Sequence, residues 1–234
     1  MIPISDDNPV RITPYITWAI IALCVAVFLW ELSLGPHMAA ASYIFGFVPA
    51  TLFAGVKSPS AALGIPGSVT LFTSMFLHGG FMHIAGNMLY LWIFGNNVEE
   101  AMGHFRYLLF YLASGLAAAF TMALMDPLST VPMIGASGAI SGVLGGYVLL
   151  YPRARVTAIV PLGILFYPLR ISAIWVVGLW FLLQLLNAVL SDPNQPGVAW
   201  WAHVGGFAMG LLLTPFFKTA QYRLFGDVRR GPWG

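Results

Sequence analysis

The sequence predicts an all-α membrane protein, a bundle of six transmembrane helices with both termini cytoplasmic. Three observations carry that expectation. Of 234 residues, 59% are hydrophobic and only 8% charged, where a soluble domain carries roughly a quarter charged. Mean hydropathy is +0.84. The apolar residues fall in runs of about 20 without alternation, the length of a helix crossing hydrocarbon and not the pattern of a barrel strand. Because the bilayer core offers no water to backbone groups, helices and closed barrels are the only viable spans.

Met1 to Pro14 is polar and contains proline, and the first apolar run is long enough to stay as an anchor, so no cleavable signal peptide is expected. The spans are placed at Tyr15–Leu34, Leu71–Phe94, Tyr107–Met125, Ala136–Leu150, Ile171–Leu190 and Ala199–Phe217. Residues 1–14 then form a short cytoplasmic segment, 15–217 the membrane domain and 218–234 a cytoplasmic tail. The first outside loop, Gly35 to Ser68, holds an aromatic and apolar patch at Tyr43–Pro49 that is expected half-buried at the lipid surface. Packing against the bundle is favoured for it over substrate contact. The stretch Val156–Leu169 carries Pro161 and Pro168, is flanked by Arg153, Arg155 and Arg170, and is too short to cross; it is expected as a loop at the interface.

Charge sets direction. With the N-terminus cytoplasmic, nine of the ten basic residues lie inside and only Lys57 outside, a positive-inside pattern. The net charge of +2 is too small and scattered for a nucleic-acid partner. The single cysteine, Cys24, rules out an internal disulfide and is expected as a small buried hydrophobe.

Polar groups inside a membrane are costly and mark function by default. The second span holds His78, His83 and Asn87, the fourth opens Gly135-Ala136-Ser137-Gly138, the sixth carries Ala202-His203-Val204-Gly205-Gly206, and the fifth holds Gln184 and Asn187. Counted from the inner ends at about 1.5 Å per residue, Ser137 and His203 rise about 21 Å, His83 about 22 Å and Asn87 about 16 Å. One layer thus gathers four polar groups from three helices. The fourth span is too short to cross fully, so its N-terminus begins within the membrane. Ser137 then sits where free N–H groups and the helix dipole favour developing negative charge, as an oxyanion hole requires. Such a buried helix end must line protein or a watery cavity, and hydrolysis needs that water. Gly138, Gly142 and Gly146 in the fourth span, and Gly206 and Gly210 in the sixth, recur every four residues and allow close approach of the two helices. A packing seam alone would also explain them.

The eight acidic residues lie in termini, loops or span ends, away from Ser137. A Ser-His pair without a third carboxylate is therefore expected: His203 as general base and then general acid to Ser137, with His83 and Asn87, four residues apart on one helix face, donating to the oxyanion. Metal catalysis by His78, His83 and His203 is disfavoured, since no carboxylate or thiolate shares their layer and HExxH is missing. No cofactor is expected.

These motifs, each on its own span, resemble the rhomboid intramembrane serine proteases, over about Pro14 to Phe217. Phe45-Gly46-Phe47-Val48-Pro49 and Gly95-Asn96-Asn97-Val98-Glu99 share in the resemblance. It implies a rhomboid-like six-helix bundle in which Ser137 is the nucleophile, His203 its base, and His83 and Asn87 the oxyanion residues. It further implies a structural or hydration role for His78, a structural one for Glu99, and transmembrane protein substrates cleaved near the outer surface. Substrates would enter between the second and fifth helices, placing Gln184 near the gate, with packing or hydration as the competing role. Two departures stand out: Ser141 occupies a position where some members stack a tyrosine on the catalytic histidine, and a Trp-Arg pair of the first outside loop is missing. The compact chain and the lack of a transit peptide point to a prokaryotic plasma (inner) membrane, with the active site expected to open to the outer side. A non-catalytic member that binds or escorts membrane helices is the alternative. A transporter is disfavoured because no charged group lies at mid-depth and no inverted repeat is apparent. The sequence specifies no oligomeric state.

Overall fold

A computed structural model describes residues 1–162, 165–191 and 197–226. Asp192, Asp227, Arg229, Arg230 and the last eight residues of the expected cytoplasmic tail lie outside the described residues. In chain order the elements are β1 (Ile2–Asp6), α1 (Tyr15–Ser33), α2 (Met38–Phe45), the one-turn helices α3 (Ala50–Phe53) and α4 (Thr70–Thr73), α5 (Phe81–Met102), α6 (His104–Met125), α7 (Ser137–Leu150), β2 (Arg155–Leu162), β3 (Leu165–Ser172), α8 (Ala173–Leu190) and α9 (Trp200–Phe217). Helices α1, α6 and α8 are each long and apolar enough to cross a membrane; α7 is apolar but only 14 residues long.

The bundle is built on α7, which packs against α5, α6 and α9. Its core gathers Leu91, Phe94 and Val98 of α5, Tyr107, Phe110 and Tyr111 of α6, and Val143, Leu144 and Tyr147 of α7, all fully buried. Cys24 is buried among them, as expected of a small hydrophobe. Outward stand Leu29, Leu124, Trp175, Leu182, Leu190, Leu212 and Phe216, an apolar surface far larger than water tolerates on a monomer.

Glycine sets the closest approach. A Cβ on Gly206 would lie 1.9 Å from the Gly138 carbonyl oxygen, and one on Gly210 would lie 2.1 Å from that of Gly142. Backbone therefore meets backbone along the seam that the glycine spacing predicts. Alanine at Gly206 is expected to force α7 and α9 apart and to lower stability by about 1–3 kcal/mol, the usual cost of overpacking. Thermal unfolding in detergent checks this.

The second span begins later than its hydropathy suggests. Leu71–Gly80 is not part of the long helix: α4 and a tight turn at Ser74–Phe76 give way to extended backbone, and α5 runs from Phe81 to Met102. Gly79-Gly80 weakens helix propagation at the start of α5. At the other end, polar residues continue the helix because distant partners satisfy them. Asn97 Nδ2 donates to the Asn8 carbonyl at 3.0 Å. Glu99, fully buried, accepts from the amides of Ile16 and Thr17 at 2.9 and 2.8 Å, from the Thr17 hydroxyl at 2.7 Å and from His104 Nδ1 at 2.6 Å. Pro14, at the α1 N-cap, has no side-chain acceptor, so Glu99 caps α1 from another helix. Glu99→Ala leaves those donors without partners and is expected to cost about 2–3 kcal/mol, read as a fall in thermal midpoint.

The all-α expectation needs correction at the end of the bundle away from Ser137. Val156–Leu169 is not an interfacial loop, and the N-terminal segment is not merely polar. They form one antiparallel sheet in the order β1-β2-β3, with Ile2 opposite Ile159 and Ile159 opposite Pro168. The two prolines obscured the strands in the sequence, yet Pro168 lies on the edge strand β3, where a missing N–H is tolerated. Asp7 closes the pairing: its amide donates to the Arg155 carbonyl at 3.0 Å and its carboxylate accepts from the Arg155 amide at 2.7 Å. After α9, Thr219 bonds to the Ala101 carbonyl and Phe225 to that of Leu149, so β1 and the described residues that follow α9 pack at the same end of the bundle. Between α1 and α5, Phe47 and Val48 are buried, and Phe47 pairs with Met133 through backbone bonds of 3.0 and 2.7 Å; this part of the Tyr43–Pro49 patch packs on the bundle, while Tyr43 is exposed.

The Asp6 carboxylate accepts a hydrogen bond from the Tyr147 hydroxyl. Burial lifts its pKa from 3.8 to about 6, opposed by that bond and reinforced by neighbouring Asp7. Raised in the folded state, this group stabilises the attachment of β1 fully below the unfolded value and loses that contribution as pH rises through about 6. Amide protection of Ile2–Asp6, corrected for intrinsic exchange, is expected to fall on the order of tenfold between pH 5 and pH 8, and Asp6→Asn to remove the dependence.

Candidate active site

The loop into α7 is placed by its own backbone. The Gly135 amide donates to the Ser74 carbonyl at 2.8 Å, and Gly135 has φ +119°, which side-chain-bearing residues rarely adopt. A Cβ there would lie 2.6 Å from His83 Nε2 and 3.6 Å from Asn87 Nδ2. Glycine thus lets this turn lie against the first two turns of α5. Two residues on, Ser137 opens α7, and the first bond back along the helix runs from Ile140 N to the Ala136 carbonyl. The amides ahead of it have no intrahelical acceptor.

His203 lies in the first turn of α9, which the glycine seam holds against α7. Its Nε2 is 2.8 Å from Ser137 Oγ, and its Nδ1 is 2.7 Å from Gln184 Oε1 of α8. Gln184 Nε2 donates to the Trp180 carbonyl at 3.3 Å. Both His203 and Gln184 are 7% exposed. The indoles of Trp180 and Trp200 flank the imidazole, each 6.0 Å from its centroid, at 34° and 88°. Ser141 bonds back to the Ser137 carbonyl at 2.6 Å and does not reach the ring face.

His83 and Asn87 come to the same turn from α5. Asn87 Nδ2 is buried without a hydrogen-bond partner among the described residues. His83 Nδ1 accepts from the Gly79 amide at 3.4 Å, which leaves the proton on Nε2, the atom facing Gly135. Two donors therefore face the Gly135 turn that leads into Ser137. His78 is fully buried, its amide donating to Glu31 Oε2 at 3.0 Å and its ring 5.1 Å from that of His83. Glu31, expected at a span end away from the layer, is itself buried and reaches this second rank of residues. Gln184 turns inward to His203.

Sequence reasoning missed Trp180 and Trp200 as ring neighbours, although Trp180 precedes Gln184 by four residues and Trp200 precedes His203 by three, spacings that share a helix face. The partner of His203 Nδ1 is not a carboxylate but the side-chain amide of Gln184.

Residues 66–219 match the family model described as the Rhomboid domain. The chain is 35% identical over 162 residues to RHOMBOID-like protein 4 of Arabidopsis thaliana, covering 69% of this chain and 37% of that protein. It is 30% identical over 161 residues to Rhomboid protein 1, mitochondrial, of Saccharomyces cerevisiae, covering 67% and 44%. Over 209 residues it is 25% identical to the Rhomboid protease GlpG of Klebsiella pneumoniae, covering 88% and 64%. The matched region spans less than two thirds of each of these relatives.

Proposed function

The chain belongs to the rhomboid family, a multi-pass integral membrane protein, and from that premise we propose that it is an intramembrane serine endopeptidase cleaving peptide bonds in or near transmembrane segments of other membrane proteins. The observation that carries the proposal is the 2.8 Å approach of Ser137 Oγ to His203 Nε2. Ser137 is the nucleophile. As its oxygen attacks the scissile carbonyl, the hydroxyl proton passes to His203 Nε2. The tetrahedral oxyanion takes hydrogen bonds from Asn87 Nδ2, His83 Nε2 and the opening amides of α7. His203 then gives its proton to the leaving amine, and the acyl-enzyme forms. Water, losing its proton to His203, attacks the ester; His203 returns the proton to Ser137 and the carboxylate product leaves. Every proton is accounted for by Ser137, His203 and water, so no metal or cofactor is called on. His78, with Glu31 behind it, supports His83 from outside the reacting layer.

Six spans, α1, α5, α6, α7, α8 and α9, with both termini cytoplasmic, complete the proposal, supported by β1 and the described residues after α9 packing at one end of the bundle and by the positive-inside pattern of the sequence. The active site then opens to the outer side of a membrane, which we assign to a prokaryotic plasma membrane. The relatives include the yeast protein described as mitochondrial, and fractionation of the native host checks the assignment.

The test is a reconstituted assay with a single-pass substrate. Wild type is expected to yield two fragments with one new N-terminus by mass spectrometry and to be labelled by a fluorophosphonate; Ser137→Ala gives neither. Equal cleavage by Ser137→Ala overturns the proposal. Stable binding of the substrate by a wild type that neither cleaves nor labels would instead favour a helix-binding, non-catalytic role.

A further inference from the structure

We infer that Gln184 is a positioning residue for His203, holding the imidazole in the one tautomer that can act as a base toward Ser137; this rests on the hydrolytic assignment of the same site. The amide's two ends are told apart by their partners. Gln184 Nε2 lies 3.3 Å from the Trp180 carbonyl, which can only accept, so the NH₂ group belongs there. Oε1 is then the atom 2.7 Å from His203 Nδ1. A carbonyl oxygen only accepts, so Nδ1 must carry the proton. In a neutral imidazole that leaves Nε2 bare, with its lone pair directed at Ser137 Oγ 2.8 Å away.

Among the described residues, Gln184 is the hydrogen-bond partner of Nδ1 that forces this choice. The other tautomer, with the proton on Nε2, would donate to the Ser137 oxygen and could not receive its proton. A buried amide also suits a low-dielectric site, since an ionised carboxylate there would be costly unless paired. The two indoles at 6.0 Å limit ring rotation, and Gln184 sets which nitrogen faces which partner. Beside the Ser137 hydroxyl on α7, the titratable group that acts electrostatically on the ring is His83 on α5.

Two variants separate this role from packing. Gln184→Leu keeps the bulk and removes the acceptor; kcat is expected to fall about 10–100-fold, the equivalent of one hydrogen bond to a charged group, with KM nearly unchanged. Gln184→Glu keeps an acceptor and is expected to retain most turnover at alkaline pH, with the acidic limb of its pH–rate profile moved to higher pH because a carboxylate stabilises the imidazolium. In wild type, ¹⁵N NMR of histidine-labelled protein should show His203 protonated at Nδ1 and bare at Nε2, and Gln184→Leu should lose that pattern. A Gln184→Leu enzyme with wild-type kcat and an unchanged tautomer overturns the inference. So does a wild-type His203 protonated at Nε2, a result that holds even where Gln184→Leu fails to fold. A wild type that is inactive and unlabelled by fluorophosphonate, yet shows the expected tautomer, sinks the protease assignment and leaves the Gln184–His203 contact standing.

Discussion

Alanine at Ser137 or at His203 is expected to lower turnover on the order of 10⁴–10⁶-fold, and alanine at both to cost no more than the worse single change. The non-additivity follows from the geometry. Ser137 Oγ and His203 Nε2 share one proton across 2.8 Å, and each is inert without the other: a hydroxyl with no base stays protonated, and an imidazole with no hydroxyl has nothing to activate. Single-turnover cleavage of a reporter helix by the three variants measures this, with circular dichroism confirming that each folds. If the double variant were slower than wild type by the product of the two single losses, the two residues would be acting independently and the pair would not be a catalytic unit. Residual rates should be similar in all three, because the oxyanion donors remain.

Asn87→Ala is expected to lower kcat on the order of 10²–10³-fold while leaving stability unchanged or slightly higher. The two effects have one cause. Asn87 Nδ2 is buried with no partner among the described residues, so truncating it breaks no side-chain hydrogen bond to them. An oxyanion forming beside Gly135 supplies the missing acceptor, and the bond appears only in the transition state, where it accelerates the chemistry and leaves substrate affinity alone. Steady-state kinetics and thermal unfolding of the same preparation give both readouts. A loss of stability equal to that of an ordinary core truncation, with kcat intact, would make Asn87 a packing residue. Of the two α5 donors, His83 should show the smaller effect, because its ring is already engaged by Gly79 and His78.

Ser137, His203, His83 and Asn87 were legible because a polar group in an apolar run is conspicuous, and because counting residues along helices gives depth. Gly206 and Gly210 were legible for the same reason, being periodic along a single element. What escaped depends on partners distant in sequence. Glu99 looked like the end of a span, yet it continues the helix because Ile16, Thr17 and His104 satisfy it. The strands escaped because β1 meets β2 across 148 residues, as from Asp7 to Arg155, and no local pattern encodes such a pairing. Gln184 was noticed as polar but not matched to His203, since helix periodicity does not say which way a side chain on a loosely packed helix will turn.

The pairing of β1 with the hairpin also orders the molecule's birth. At about 5–20 residues per second of synthesis, Ile2–Asp6 leaves the ribosome roughly ten to thirty seconds before the β2–β3 hairpin exists. By then α1, α5, α6 and α7 have been made, and the waiting strand can be captured only when the chain between α7 and α8 emerges. The sheet is therefore a late closure: a nascent chain with Ile2–Asp6 still open to protease is one in which α8 and α9 have yet to arrive.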